Sequence, residues 1–153
     1  MDQLIEQIKR HEGFRNHSYR CTAGKLTIGY GYNLSANPLK LSSLEIYHAQ
    51  LHGMGEVEAE RLLKLMIAKI TDQLEEALSV INRLDTVRQD VLINMAYNLG
   101  LVGLLKFKKM IAALEKKDYC KASIEMLDSK WASDVGDRAP ELATQMMTGV
   151  YAL

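Results

Sequence analysis

Three side chains near the start of the chain carry groups that can transfer protons or hold water. Glu12 supplies a carboxyl group, Cys21 follows after eight intervening residues with a thiol, and Thr27 follows after five more with a hydroxyl. A carboxyl group can act as a general acid or base, and a hydroxyl both donates and accepts hydrogen bonds. Each residue also has an ordinary structural explanation: a surface carboxylate at a helix end, a small buried apolar residue and a β-branched strand residue.

Glycines follow Thr27 at intervals of two residues. Gly29 and Gly31 leave little side chain on the strand face that carries Thr27. A strand face without side chains allows a bulky ligand to approach the backbone closely. The pattern therefore predicts a ligand-accessible face beside Thr27.

The charge around Glu12 is uneven, although the chain as a whole has 19 basic and 19 acidic residues and a formal net charge of zero. Glu12 is the only acidic residue between residues 9 and 25. The same segment contains five basic residues, Lys9, Arg10, Arg15, Arg20 and Lys25. This segment is either a solvated surface or a basic rim that attracts an anionic polymer. The overall neutrality argues against a nucleic-acid-binding protein, which usually carries a basic excess.

The elements that position these residues follow from the spacing of apolar side chains. Asp2 is a candidate N-cap, Leu4, Ile5 and Ile8 have helical spacing, and Gly13 ends the predicted first helix over residues 2–12. Alternation from residue 26 to 32 then predicts one strand, preceded by a turn at 22–24 and followed by a loop at Asn37-Pro38. We therefore expect a small antiparallel β unit after the first helix.

The remainder of the chain has helical periodicity. A long helix is predicted over about 56–81, and a second begins at Asp85 or Thr86 and ends at Gly100. Further helices are predicted at about 104–116, 118–128 and 137–150. The predicted class is α+β and mostly helical, with two lobes. The first lobe spans about 12–55, the connecting helix about 56–81, and the C-terminal helical lobe about 82–153 together with the first helix 2–12.

Other features of the sequence limit the class of protein. Cys21 and Cys120 are too few for a disulfide framework, and His48 and His52 are the only pair of histidines at metal-ligand spacing. We expect free thiols and no metal site. No apolar run is long enough to span a membrane, and residues 1–7 lack the features of a signal peptide. These features predict a chain made in the cytoplasm, without stable membrane insertion and without nucleic acid as a partner.

The sequence resembles the phage-type lysozyme (endolysin) family, the muramidases of glycoside hydrolase family twenty-four. The family motif is a Glu, eight residues, an Asp or Cys, five residues and a Thr, followed by Ile-Gly-Tyr-Gly or a similar run. Glu12, Cys21 and Thr27 match it, with Ile28-Gly29-Tyr30-Gly31 after them. Later residues typical of the family also occur in the expected order; they are Asn94, Met95, Phe107, Trp131 and the run Asp137-Arg138-Ala139.

The resemblance implies a lysozyme-like two-lobed fold and hydrolysis of the β-1,4 bond between N-acetylmuramic acid and N-acetylglucosamine. It implies that Glu12 is the general acid, which must be protonated at working pH in a partly desolvated site. Thr27 then resembles the threonine that holds the attacking water. Arg138 matches an arginine that pairs with the glutamate, and such pairing favours the charged carboxylate. Cys21 is left open as base, nucleophile or spacer: water attack inverts the anomeric centre, covalent attack retains it, and the resemblance favours inversion.

The resemblance also implies a substrate cleft between the two lobes, without a cofactor. Its predicted substrate-binding residues are Tyr30, Tyr32, Tyr97, Asn98 and Arg138. The implied partner is the peptidoglycan glycan strand, attacked by a monomer in the periplasm after release through a holin-like partner. Three alternatives stay open: an inactive peptidoglycan-binding module, a helical interaction protein, and an enzyme for a related glycan such as chitin.

Overall fold

The structure is a computed structural model, and it describes residues 1–152. The chain forms two compact units, Met1–Lys69 and the part from Ile70 onward. The proposed lobe boundaries, including the assignment of the first helix to the C-terminal lobe, stay a prediction. None of the helices within residues 1–152 is both long and apolar enough to cross a membrane.

The first unit begins with helix α1 (Asp2–Glu12) and a three-stranded antiparallel sheet in the order β1-β2-β3. The strands are β1 (Arg15–Arg20), β2 (Leu26–Gly29) and β3 (Tyr32–Asn33). The predicted first helix and antiparallel β unit are therefore confirmed. Asp2 is the first helical residue rather than the N-cap, which is Met1.

The prediction of one strand over residues 26–32 was wrong, because the chain reverses within it. Ile28 pairs with Tyr32 and Thr27 with Asn33, so Gly29, Tyr30 and Gly31 form the turn of a hairpin. Both glycines have positive φ, +66° and +77°, a region that L side chains rarely adopt. The residues at both ends of the alternating segment are extended, but the glycines within it allow the chain to reverse direction.

Helix α2 (Ser43–His52) was not predicted from the spacing of apolar residues. Its large apolar side chains Leu44, Tyr47 and Leu51 are exposed, so they do not mark a buried stripe. The helix begins instead with a capping box, in which Ser42 and Glu45 exchange hydrogen bonds between side chain and backbone. The Ser-x-x-Glu spacing was the available sequence signal.

The apolar core of the first unit joins the hairpin to the helices that follow it. Its fully buried members are Ile28, Tyr32, Leu34, Ala49 and Leu62. Ala49 comes from α2 and Leu62 from α3 (Glu56–Ala77), so both helices pack on the hairpin through this cluster. Buried apolar contacts therefore hold the hairpin that carries Thr27 in place.

Helix α3 follows the predicted stripe but ends earlier than predicted. The last residue is Ala77 rather than residue 81, because Leu78 takes an extended conformation with φ −129° and ψ 99°. A 3₁₀ turn over Ser79–Arg83 follows and buries Val80 and Ile81.

The second unit is helical throughout its regular structure. Helix α4 (Thr86–Leu99) begins at the N-cap Asp85 and ends at Gly100, as predicted. The helices after it are α5 (Leu101–Leu105), α6 (Lys108–Glu115), α7 (Tyr119–Leu127), α8 (Lys130–Asp134) and α9 (Arg138–Thr148). The predicted helix over 104–116 is two helices that meet near Phe107, and α8 was not predicted. The α+β, mostly helical class is confirmed.

One ion pair, between Lys9 and Glu60, links α1 to α3 within the first unit, and each of these two residues forms a further pair within its own helix. The Lys9 Nζ lies 2.5 Å from Glu60 Oε2 and 3.0 Å from Glu6 Oε1. Lys64 Nζ lies 2.7 Å from the other Glu60 oxygen. Hydrogen bonds from Lys64 and Lys9 lower the pKa of Glu60 to about 2, and those to Glu60 and Glu6 raise the pKa of Lys9.

We expect the ion pairs of Glu60 to make folding sensitive to acid in a defined pH range. The Glu60 pKa of about 2 lies below its ordinary value of 4.5, so this stabilisation is complete above about pH 4.5 and is lost as the pH falls toward 2. Glu60→Gln should flatten the fall of the melting temperature over that range in circular-dichroism melts. The control Glu76→Gln, an exposed position on the same helix, should keep the wild-type slope. Equal slopes in all three proteins would contradict the assignment.

Candidate active site

Glu12 is the last residue of α1, and its side chain lies against the hairpin turn. Gly13 follows with φ +70° and donates its backbone N–H to Lys9 O at 2.9 Å, which ends the helix. A Cβ built on Gly31 would lie only 2.7 Å from Glu12 Oε2 and 3.2 Å from Glu12 Cδ. The carboxyl group of this half-buried glutamate therefore rests on the bare backbone of Gly31.

The predicted ligand-accessible face beside Thr27 needs correction. Protein atoms already occupy the space that the missing side chains of the two glycines leave. Glu12 occupies it at Gly31, and Ala59 Cβ lies 3.1 Å from the Cβ position of Gly29. The glycines in the sequence show that space is needed beside the backbone. They do not show whether a ligand or another part of the chain fills that space.

Cys21 and Thr27 meet at the other end of the hairpin, around the turn between β1 and β2. The Cys21 N–H donates to Lys25 O at 3.0 Å, and the Thr27 hydroxyl donates to the same oxygen at 3.0 Å. Hydrogen bonds to the sulfur from the backbone of Lys25, and then from that of Ala23, lower the pKa of the Cys21 thiol. Cys21 therefore loses its proton to form the thiolate more readily than an ordinary cysteine does.

All three motif residues lie in the first unit, around its small sheet. Thr27 is in β2 opposite Asn33, and Gly31, which supports the Glu12 carboxylate, is two residues before Asn33. The arrangement offers a carboxyl group at the turn between β2 and β3, and a thiol with lowered pKa and a hydroxyl near the turn between β1 and β2. These are the groups that proton transfer and water activation require.

Two predicted substrate-binding residues in this unit are mostly buried. Tyr30 is 8% exposed, its ring centroid lies 5.5 Å from that of Phe14, and burial raises its pKa. Tyr32 is 3% exposed, donates its hydroxyl to Asn37 Oδ1 at 2.8 Å and accepts the Leu39 N–H at 3.1 Å. Tyr32 is therefore a core residue with a satisfied hydroxyl, and a role of either tyrosine in binding substrate stays a prediction.

The other predicted binding residues lie in the second unit. Arg138 is buried and donates from Nε at 3.0 Å, and from a terminal nitrogen at 2.8 Å, to Asn94 Oδ1. Asn98 is exposed, and its Oδ1 accepts the Trp131 indole N–H at 2.9 Å. Tyr97, beside it on α4, is half-buried. Their predicted contacts with substrate, and that of Arg138 with Glu12, stay predictions.

The basic residues around the motif are exposed. Arg15 stacks on the Tyr19 ring at 4.7 Å, and Arg20 donates to Gly24 O at 2.9 Å. Within residues 1–152, Arg15, Arg20 and Lys25 have no carboxylate partner. Exposed charges without carboxylate partners fit both a solvated surface and a basic rim, so the rim stays a prediction.

No group of three histidine, cysteine or acidic side chains suited to a metal ion occurs within residues 1–152. The rings of His48 and His52 lie 4.8 Å apart and tilted by 51° on exposed α2, as neighbours one helical turn apart.

Sequence reasoning named Lys9 only as one of five basic residues around Glu12, and it did not predict the supporting role of Gly31. Lys9 precedes Glu12 by three residues and is 5.8 Å from the centroid of the Tyr30 ring. Its helical spacing from Glu12 was visible in the sequence, but its partners on α3 and in the hairpin turn were not.

Comparisons with known proteins place the chain in a family. Over residues 9–146 it matches the family model described as phage lysozyme. It is 26% identical to the probable T4-type lysozyme 2 of Dictyostelium discoideum, over 97% of this chain and 96% of that protein. It is 29% identical to an endolysin of Acyrthosiphon pisum secondary endosymbiont phage 1, over 87% of this chain and 81% of the relative.

A further relative contains a similar region within a longer chain. The pre-baseplate central spike protein Gp5 of Enterobacteria phage T4 is 27% identical over 95% of this chain but only 28% of its own length. The family match covers most of the chain, including all three motif residues, and confirms the resemblance seen in the sequence. The chain belongs to the phage lysozyme family.

Proposed function

We propose that the protein is a glycoside hydrolase that cleaves the β-1,4 bond between N-acetylmuramic acid and N-acetylglucosamine in peptidoglycan. The observation that carries the proposal is the placement of the Glu12 carboxyl group on Gly31, in the hairpin that also carries Thr27 beside Cys21. Family membership supplies the reaction class, and this geometry supplies groups of the required types.

In the proposed reaction Glu12 is the general acid. Its protonated carboxyl group donates to the leaving glycosidic oxygen as the bond to the anomeric carbon breaks. Its half-burial against Gly31 limits the access of water to the carboxyl group. Gly31 also restricts the positions available to the carboxyl group, and correct orientation is a large part of such catalysis.

Thr27 and Cys21 act on the attacking water in this proposal. The Thr27 hydroxyl donates its hydrogen to Lys25 O, which leaves its lone pairs to accept a hydrogen bond from water. The Cys21 thiolate, which its lowered pKa favours, accepts a proton from that water or orients it. Attack by water inverts the anomeric centre, whereas attack by the sulfur itself would retain it.

In this proposal the residues that contribute to substrate binding are Tyr30, Tyr32, Tyr97, Asn98 and Arg138. The biological role we propose is lysis of a bacterial host as an endolysin. It reaches peptidoglycan in the periplasm as a monomer, after release through a holin-like partner. The relatives named as endolysin and T4-type lysozyme favour this role over that of an inactive peptidoglycan-binding module.

Removing the acidic proton of Glu12 should abolish most activity. Glu12→Gln keeps the shape of the side chain but cannot act as an acid, so we expect a loss of about 10²-fold or more. The measurement is clearing of outer-membrane-permeabilised Gram-negative cells, with Glu115→Gln on the exposed end of α6 as control. Clearing by Glu12→Gln at the wild-type rate would refute the assignment. Binding to purified peptidoglycan without cleavage by the wild type would favour the binding module.

The thiol of Cys21 should leave a signature in the pH dependence of the rate. Its lowered pKa predicts that activity rises with pH through an ionisation below the ordinary thiol value of 9.0. In Cys21→Ser this rise should disappear, and in Cys21→Asp it should move to acidic pH because a carboxyl group ionises there. If Cys21→Ser keeps both the rate and the pH profile of the wild type, the sulfur is only a spacer.

Adding a methyl group at Gly31 should displace the acid. In Gly31→Ala the new Cβ would lie 2.7 Å from Glu12 Oε2, so the carboxyl group must move, and we expect activity to fall at least tenfold. The matched control is Gly100→Ala, which has a similar φ of +79° but nothing within 4 Å of the new Cβ. Both should lose about 1 kcal/mol of stability because of the positive φ. Equal activity losses in the two variants would show that strain alone matters.

A further inference from the structure

We infer that Lys9 is a positioning residue for the general acid: its ammonium joins the end of α1, the helix α3 and the Tyr30–Gly31 turn, and thereby fixes the Glu12 carboxyl group. The inference rests on the proposed function, in which Glu12 is the acid. Lys9 itself contacts no reacting atom in this scheme.

The contacts of Lys9 come from three separate elements. On its own helix it pairs with Glu6 at 3.0 Å, and on α3 it pairs with Glu60 at 2.5 Å. In the hairpin turn it lies 5.8 Å from the centroid of the Tyr30 ring, within the range of a cation–π contact. The Lys9 side chain as a whole is only 19% exposed, so most of it is covered by protein.

Two of these elements, α1 and the hairpin turn, determine where the Glu12 carboxyl group lies. Glu12 follows Lys9 by three residues, a spacing that places both on neighbouring parts of one helix face. The backbone oxygen of Lys9 accepts the Gly13 N–H that ends α1 directly after Glu12. Tyr30 is covalently joined to Gly31, the residue on which the carboxyl group rests. A shift of α1 relative to this turn would therefore change the contact between Glu12 and Gly31.

An ordinary surface ion pair would have a different pattern. Lys64 pairs with the same Glu60 at 2.7 Å, but its side chain is 55% exposed and its partner is on its own helix. Such a pair contributes little and holds no second element in place. Lys9 instead pairs with one carboxylate on α1 and one on α3, and also contacts an aromatic ring. Lys64 is therefore a suitable control, because its removal takes away one Glu60 ion pair and leaves the link between α1 and α3.

The experiment compares kcat and KM on soluble peptidoglycan fragments for the wild type, Lys9→Met, Lys9→Arg and Lys64→Met. All proteins are assayed well below their own melting temperatures, measured in parallel. Lys9→Met should lose about tenfold in kcat with KM within about twofold, because misplacing an acid slows the chemical step more than binding. Lys9→Arg, which can keep the ion pairs, should recover at least half of kcat, and Lys64→Met should match the wild type.

The outcomes separate this inference from the proposed function. If Glu12→Gln is inactive while Lys9→Met keeps the wild-type kcat, Lys9 has only a structural role and the inference fails alone. If Glu12→Gln is active, the proposed function fails first. Should Lys9→Met not fold, Glu60→Gln decides: a greater loss of kcat than in Lys64→Met supports the inference, and an equal one overturns it.

Discussion

The contact between the Glu12 carboxyl group and the backbone of Gly31 is the constraint on which the site depends. Any side chain at position 31 would occupy the space of the carboxyl oxygen, and the positive φ of Gly31 independently favours glycine. Gly31 thus serves two purposes: it allows the chain to reverse, and it leaves space for the Glu12 carboxyl group. Phe14 packs on Tyr30 in the same turn, which adds an apolar contact beside the polar one.

The motif residues obtain their chemical environment mostly from backbone groups rather than from charged side chains. At Cys21 the pKa of the thiol falls chiefly because of hydrogen bonds from the backbone of Lys25 and Ala23. Backbone donors have fixed positions, so they can stabilise a thiolate without the entropy cost of ordering a long side chain. The exposed Arg15 and Arg20 add positive charge around the motif without pairing with it, in a manner suited to attracting an anionic polymer.

The second unit uses a different kind of interaction to hold its helices. Arg88 on α4 donates to the backbone oxygens of Met146 and Met147 at the end of α9, at 2.7 and 2.9 Å. Its guanidinium also stacks on the Tyr119 ring at 3.6 Å, and Gly149 leaves room for it. A single arginine therefore satisfies carbonyl groups that a helix end leaves without partners, and joins three helices.

Features that depend on near neighbours along the chain could be predicted from the sequence. These are the glycines that end α1 and α4, the helical class of the second unit, and the motif Glu12, Cys21 and Thr27. The three-dimensional fold was needed to show that the chain reverses at Tyr30–Gly31, that Tyr32 is buried, and that Lys9 bonds to Glu60, 51 residues away. Caps and periodicity act over a few residues, whereas the group that fills the space beside a glycine comes from distant parts of the chain. A pattern of alternating residues can therefore predict extended structure. It does not predict where the chain turns or which distant side chain packs against that turn.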